Sequence, residues 1–195
     1  NSIAHELGHF VNNYGSIPGE SREQHSSSPL FQFVYNLDKE HSPNGATALA
    51  HEMNVKAGYE ADNYEKRSPK KWDERFAVLT AYYSSADEAV TADSPIMDSY
   101  MKHIVGLDLD ILNSGYEAED IKDMRNQLRD TLQVPLDELL DEKYEEISNG
   151  SSMVAELGIE SSLSAIARDL REKFELLPPK SDKFYIISGQ KEHSL

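Results

Sequence analysis

The stretch that decides how this chain is interpreted is Asn1-Ser2-Ile3-Ala4-His5-Glu6-Leu7-Gly8-His9-Phe10-Val11-Asn12-Asn13-Tyr14, at the start of its 195 residues. It contains the pattern His-Glu-x-x-His, which on a helix places two imidazoles one turn apart with a carboxylate beside them. Such a pair binds zinc in hydrolases that activate a water molecule. The sequence therefore predicts that His5 and His9 are zinc ligands and that Glu6 is the general base.

The remaining residues of this stretch predict how the helix packs. On a helical wheel, an apolar stripe opposite the two histidines consists of Ile3, Leu7, Phe10 and Tyr14. We expect this stripe to be buried in a core and the histidines to face a cleft. Glycine within a helix costs about 1 kcal/mol relative to alanine, so Gly8 predicts the close approach of another backbone.

The composition limits the possible classes of protein. A chain of 195 residues can bury the core of one full domain, and the absence of Cys excludes disulfides and thiolate zinc sites. No apolar run approaches the ~20 residues that are needed to span a membrane. The net charge of −16 argues against nucleic acid and anionic lipid as partners and favours a basic partner or substrate.

The pattern of apolar residues and helix breakers predicts a mainly α fold. After the first helix, further helices are expected at 30–40, at 46–67, from Ser68-Pro69 onward and from Ser94-Pro95 onward. The third of these carries a core-facing stripe, which consists of Trp72, Phe76, Leu79 and Tyr83. The last is expected to stop at Gly106.

The character of the sequence changes after Gly106. Residues 107–176 contain 18 Asp or Glu against 7 Lys or Arg. Amphipathic helices are predicted at about 117–133, 136–147 and 162–177, and a short strand at 184–187. We expect a metalloprotease catalytic core at 1–106 and an acidic helical appendage at 107–195. Such a core normally has a sheet before its metal-binding helix, so 1–106 is expected to be the C-terminal part of one.

A catalytic zinc needs a third protein ligand besides the two histidines. The extended pattern His-Glu-x-x-His-x-x-Gly-x-x-His is excluded, because Asn12 and Gly15 stand where it requires Gly and His. We therefore expect a carboxylate from a later helix, with Glu88 as the leading candidate. Glu88 could instead close a helix capping box with Ser85. The alternative ligands are Asp87, Glu60 and His51.

Hydrolysis also needs a group that stabilises the oxyanion of the transition state. Two adjacent tyrosines are candidates. Tyr82 lies off the stripe of Trp72, so its hydroxyl can face a cleft. Tyr83 lies on that stripe and is expected to be buried in the core.

These residues resemble a known family. The segment His5-Glu-Leu-Gly-His-Phe-Val-Asn-Asn-Tyr14 is similar to the active-site helix of the anthrax lethal factor group of zinc proteases, which includes the Pro-Pro endopeptidases. That helix has the form His-Glu-x-Gly-His-x-Val-Asp-Asp-Tyr. The group's Tyr-containing segment and the acidic helix after it resemble Leu79-Thr-Ala-Tyr82, Ala86-Asp-Glu88 and Ala92-Asp93.

The resemblance implies a role for each matching residue. His5, His9 and Glu88 would be the zinc ligands, Glu6 the general base and Tyr82 the oxyanion donor. The wider class that it suggests is that of secreted toxins and translocated bacterial effectors, whose protein substrates are found in the host cytosol.

The sequence thus predicts a zinc-dependent endopeptidase that hydrolyses a protein substrate, with Glu6 as the general base. The alternative is a non-catalytic helical interaction module, in which residues 107–176 offer an acidic face to a basic protein partner. A zinc hydrolase that acts on a substrate other than a peptide is a third interpretation.

Overall fold

The computed structural model describes residues 2–13, 25–60, 70–85, 93–135, 138 and 152–177. These residues are mostly helical and contain no strand, which confirms the mainly α prediction. The α-helices, in chain order, are α1 (Ser2–Asn13), α2 (Pro29–His41), α3 (Ala46–Lys56), α4 (Lys70–Ser85), α5 (Pro95–Tyr100), α6 (Gly106–Leu112), α7 (Ala118–Gln133) and α8 (Ser152–Lys173). A 3₁₀ turn (His25–Ser27) precedes α2, and a π-helical turn (Met101–Val105) joins α5 to α6. The described residues do not include the strand predicted at 184–187. Of the helix predicted at 136–147, they include residue 138 alone.

The start of α2 follows from its sequence. The Ser28 hydroxyl accepts a hydrogen bond from the Phe31 backbone N–H at 3.1 Å, and Pro29 occupies the first position of the helix. A serine cap followed by proline satisfies one free N–H and removes another, which stabilises a helix terminus. The predicted helix at 30–40 is thereby confirmed.

The core of the protein is built around Phe31 of α2. Its ring centroid lies 5.3 Å from that of Phe76 on α4 and 5.5 Å from that of Tyr100 on α5. Such tilted and edge-on aromatic pairs stabilise a core beyond the area that they bury. The predicted stripe on α4 is confirmed, since Phe76, Leu79 and Tyr83 are buried and Trp72 packs half-buried against them.

The same buried cluster continues into the acidic half of the chain. The residues that join it from α7, from α8 and from the turn directly after α8 are Met124, Leu128, Leu132, Ile159, Leu163, Ala167, Leu170 and Phe174. The predicted apolar faces at 117–133 and 162–177 are confirmed, because their residues are buried in this cluster. Whether 1–106 and 107–195 are separate domains stays a prediction.

The expected helix stop at Gly106 is wrong. The Gly106 N–H donates to the carbonyl of Met101, five residues earlier, and α6 then continues to Leu112. This i→i+5 bond is the mark of a π-turn, which takes up one extra residue without ending the helix. The chain therefore runs in helical form through the predicted boundary at 106/107.

The expected burial of α1 is also wrong. Ile3 is 79% exposed and Phe10 is 52% exposed, whereas Gly8, Val11 and Asn12 are buried. The contact with α4 determines which face of α1 is buried. It buries the face that carries Gly8, because only that face permits close packing of the two backbones. Tyr14 lies outside the described residues.

None of the described helices combines the length and the apolar character that a bilayer span requires. The longest, α8, has 22 residues, but Asp, Glu, Lys and Arg recur along it and make up its last turn. The expectation of no membrane span is confirmed for these helices.

Candidate metal centre

The candidate site lies where α1 crosses α4. A Cβ at Gly8 would lie 2.7 Å from the Cα of Ala77 and 2.9 Å from its carbonyl oxygen. Real Cβ atoms do not approach a backbone so closely, so only glycine permits this crossing. The prediction that Gly8 serves the approach of another backbone is confirmed. The crossing brings His5 and His9, on either side of Gly8, to the first turns of α4.

Three ligand atoms converge at this crossing. The Nε2 atoms of His5 and His9 are 3.1 Å apart, and the Glu74 Oε2 lies 3.2 Å from the first and 3.5 Å from the second. In a tetrahedral zinc site with bonds of 2.0–2.1 Å, neighbouring ligand atoms are about 3.3 Å apart. Among the described residues, His5, His9 and Glu74 form the group that could hold a metal ion.

The surroundings of Glu74 fit a bound cation. Its Oε2 atom is shielded from solvent and receives no hydrogen bond of regular geometry from the described residues. A buried carboxylate oxygen is costly unless a cation or a donor compensates it, and this position beside the Nε2 atoms of His5 and His9 suits either a protonated His9 or a metal ion. Two imidazole nitrogens and one carboxylate oxygen are also the ligand set of many catalytic zinc sites. The residues present therefore fit zinc.

The three candidate ligands are partly exposed, which leaves an opening to solvent. The His5 and His9 side chains are each 23% exposed, and that of Glu74 is 14% exposed. A catalytic metal needs such an opening for its water and its substrate, whereas structural zinc sites are closed by four protein ligands.

Asp73 orients His9. Its Oδ1 lies 3.3 Å from the Nδ1 of His9, so the ring presents its other nitrogen, Nε2, to Glu74. Asn12 donates from Nδ2 to the Asp73 carboxylate and to the Ser26 hydroxyl, while the Ser26 N–H donates to the Asn12 Oδ1 at 3.0 Å. A carboxylate behind a ligand histidine fixes its tautomer and raises its basicity.

The two carboxylates also control the charge of His9. The hydrogen bond to Asp73 and the proximity of Glu74 raise the pKa of His9 to about 10, despite its partial burial. In the metal-free protein His9 therefore carries a second proton at neutral pH, and a metal ion must displace it.

The predicted catalytic side chains lie on the same two helices. Glu6 is exposed on α1, next to His5. Tyr82 is half-buried on α4 and packs against the core, and its predicted role as oxyanion donor stays a prediction. Tyr83 is 7% exposed, as expected of a core residue, and burial raises the pKa of its hydroxyl.

Of the four predicted third ligands, the structure describes two. Glu88 and Asp87 are outside the described residues. The Arg75 guanidinium donates two hydrogen bonds to the Glu60 carboxylate, with N–O distances of 2.7 and 2.6 Å. The Nδ1 of His51 lies 3.5 Å from the same carboxylate. The structure therefore places Glu60 and His51 in an ion-pair cluster rather than beside the two histidine ligands.

Sequence reasoning missed Glu74, although a signal was present. Gly8 predicts a crossing, and a crossing needs a small residue on the partner helix as well. Ala77 is such a residue on the face of α4 adjoining its apolar stripe, and Glu74 precedes it by about one helical turn. A search for a carboxylate three or four positions from a small residue would have included Glu74, together with Glu88, which precedes Ala92 by four positions.

Comparison with known proteins gives no relative of this chain. No family model, no curated protein and no solved structure matches it. The resemblance to the lethal factor group therefore stays a prediction that rests on the residues quoted above.

Proposed function

We propose that this chain is a zinc-dependent endopeptidase. The observation that carries the proposal is the convergence of His5 Nε2, His9 Nε2 and Glu74 Oε2 within 3.1–3.5 Å of one another, on side chains that are partly exposed to solvent. Accidental His-Glu-x-x-His patterns have no reason to meet a carboxylate from a distant helix at the spacing of zinc ligands. Glu74 takes the role of third ligand for which Glu88 was the leading sequence candidate.

Each residue of the site has a distinct role in this proposal. His5, His9 and Glu74 hold the metal, and Asp73 keeps the Nε2 of His9 directed at it. Zinc held by these residues would supply a water whose pKa is lowered toward 7 and would polarise a substrate carbonyl. Glu6 accepts the proton of the attacking water and delivers it to the leaving amine. Tyr82 is the candidate donor to the oxyanion.

The preference for a peptide substrate rests on the resemblance of residues 5–14 to a protease helix. The net charge of −16 supports a neutral or cationic substrate over nucleic acid. A host protein as substrate, and export or translocation of the enzyme, belong to the same resemblance and are proposed with it.

The experiment compares wild type with Glu6→Gln. Zinc-loaded protein is incubated with a mixed peptide library, and new termini are identified by mass spectrometry. We expect Glu6→Gln to keep its zinc and to lose about 100- to 10,000-fold in cleavage rate, because the general base is removed while the ligands stay. Glu52→Gln, which changes an exposed carboxylate on α3, serves as the control and should cleave normally.

If Glu6→Gln cleaves the library as fast as wild type does, the proposed mechanism is wrong. If wild type binds zinc and cleaves no peptide, a zinc hydrolase acting on another substrate replaces this proposal. If wild type binds no zinc, the interaction module with an acidic face becomes the better interpretation.

A further inference from the structure

The C-terminal end of α1 is capped by a residue from the acidic half of the chain. The buried side chain of Arg125, on α7, donates from Nη2 to the backbone oxygen of Val11 at 3.1 Å. The last four carbonyls of a helix have no partner within it, and a cation there is also favoured by the helix dipole. Val11 follows His9 by two residues, so this bond fixes the turn that carries the metal ligand.

Arg125 is itself held by a buried carboxylate on α6. Its Nε and Nη2 donate to the two oxygens of Asp108 at 2.6 and 2.7 Å, and Asp108 is 1% exposed. Burial alone would raise the pKa of Asp108, but the Arg125 guanidinium and the neighbouring His25 hold it well below its usual range. The pair is therefore ionised and rigid, as expected of a two-point Arg–carboxylate contact.

His25 completes the group, which we call the Arg125 clamp: Arg125, Asp108, His25 and Tyr100. The Nε2 of His25 lies 2.9 Å from the Asp108 Oδ2, and its Nδ1 lies 3.4 Å from the Tyr100 hydroxyl. All four side chains are buried.

The π-turn explains how one ring meets both Tyr100 and Asp108. At 3.6 residues per turn, side chains eight residues apart differ in direction by about 80°. A π-turn takes up one extra residue, which brings this angle to about 20°. The π-turn over Met101–Val105 thus aligns Tyr100 and Asp108 on the face that contacts His25.

A second polar chain runs beside the clamp. Asn12 follows Val11 on α1, and Ser26 follows His25 in the 3₁₀ turn. Asn12 bonds to Ser26 and to Asp73, which faces the Nδ1 of His9. Two consecutive residues of α1 are therefore fixed, one by the clamp and the other by the carboxylate that orients His9.

We propose that Arg125 and Asp108 are positioning residues of the metal centre, which fix the last turn of α1 and so hold His9 against Asp73 and Glu74. This inference rests on the proposed function, since it assigns a role within the same metal site. Under this proposal, two residues of the acidic half of the chain contribute to the geometry of the metal site. Neither residue contacts the metal or the substrate in this proposal.

The test measures Co²⁺ binding to the full chain, by titration and by the visible absorption of the bound ion, which reports the geometry of its ligands. The variant is the double substitution Asp108→Asn/Arg125→Met. It removes both buried charges together, which is often neutral for stability, whereas removal of one partner is strongly destabilising. We expect Co²⁺ affinity to fall about tenfold or more with an altered spectrum, as for other residues that orient metal ligands.

The matched control is Asp110→Asn/Arg171→Met. Arg171 donates to Asp110 at 2.5 Å, so the control also removes an Arg–Asp pair of α6. This pair joins α6 to α8, whereas the pair of Asp108 and Arg125 joins α6 to α7 and, through Arg125, reaches α1. We expect its Co²⁺ affinity and spectrum to be unchanged. Arg125→Lys is the second variant. It keeps a cation beside Asp108 but lacks the fork that also reaches Val11, so its affinity should fall although the buried carboxylate keeps a cationic partner.

Unchanged affinity and spectrum in the double variant and in Arg125→Lys would overturn the inference, as would equal losses in the variant and the control. His5→Ala separates this failure from that of the proposed function. If Co²⁺ binding by wild type survives His5→Ala, the metal centre itself is refuted. If binding depends on His5 but not on Arg125, only the positioning role is refuted.

Discussion

The carboxylate of Asp73 lies 3.3 Å from the Nδ1 of His9, on the side of the ring away from Glu74. This contact leaves Nε2 as the nitrogen available to a metal. We expect Asp73→Asn to lower metal affinity about 10- to 100-fold without changing the stoichiometry, because the ligands stay while the orienting charge is lost. Competition with a chelator of known affinity measures the change. Asp169→Asn, which alters an exposed carboxylate on α8, is the control, and equal affinities in the two variants would contradict the prediction.

Gly8 sets the distance between the two ligand-bearing helices. Gly8→Ala gains about 1 kcal/mol in helix propensity, but its Cβ would clash with the Ala77 backbone. Overpacking of this kind typically costs about 1–3 kcal/mol and shifts the backbone. We expect lower stability and weaker metal binding.

Gly106→Ala is the matched control for Gly8→Ala. Among the described residues, a Cβ at Gly106 would meet the Met101 oxygen, at an ordinary 3.6 Å. The melting temperature of Gly106→Ala should be equal to that of wild type or higher. A Gly8→Ala protein with wild-type melting temperature and metal affinity would show that the close crossing is not required.

Metal binding should depend on pH in a direction set by His9. Its pKa is raised to about 10, so below that pH the metal competes with a bound proton. The apparent association constant should therefore rise about tenfold per pH unit for the one proton displaced, and continue to rise between pH 7 and 8.5. A histidine of ordinary pKa, about 6.5, would give a plateau above pH 7. Chelator-buffered titrations across this range decide between the two, and a plateau would contradict the contacts to Asp73 and Glu74.

The buried pair of Asp108 and Arg125 predicts a loss of stability in acid. The pKa of Asp108 is depressed in the folded protein, so its contribution is complete above the unfolded value of about 3.9 and is lost as pH falls below it. At pH 7, Asp108→Asn should destabilise the protein by about 3–5 kcal/mol, because it removes the negative charge that balances the buried Arg125 guanidinium.

Urea unfolding of both proteins from pH 7 to pH 3 measures this effect. The difference in the free energy of unfolding should narrow below about pH 4. Burial raises the pKa of Asp38, so its effect on stability changes with pH in the opposite direction. Wild type and Asp108→Asn both contain Asp38, so its contribution cancels when their free energies of unfolding are subtracted. A difference that stays constant with pH would contradict the prediction.

The sequence was sufficient for the helical class and for much of the core. Periodicity identified Phe76, Leu79 and Tyr83 as buried, and a serine–proline pair identified the start of α5. These features depend on local spacing, which a single sequence contains. The buried face of α1 could not be predicted from local spacing. The close contact with a helix about 70 residues later buries the Gly8 face and leaves Ile3 and Phe10 exposed.

The sequence left the third ligand open for the same physical reason. Which carboxylate meets His5 and His9 depends on where two helices cross, and that crossing is set by Gly8 and Ala77 together. Glu74 and Glu88 are equally good carboxylates in the sequence. Arg125 is a similar case, since its contact with Val11 spans 114 positions.

The most direct test of the metal centre is the zinc content of purified wild type, His5→Ala, Glu74→Gln and Glu88→Gln after dialysis, with circular dichroism to check the helical fold. The proposed ligand set predicts about one zinc per chain in wild type and in Glu88→Gln, and loss of zinc from His5→Ala and from Glu74→Gln. Wild-type zinc content in Glu74→Gln, or a wild-type protein that retains no zinc, would contradict it.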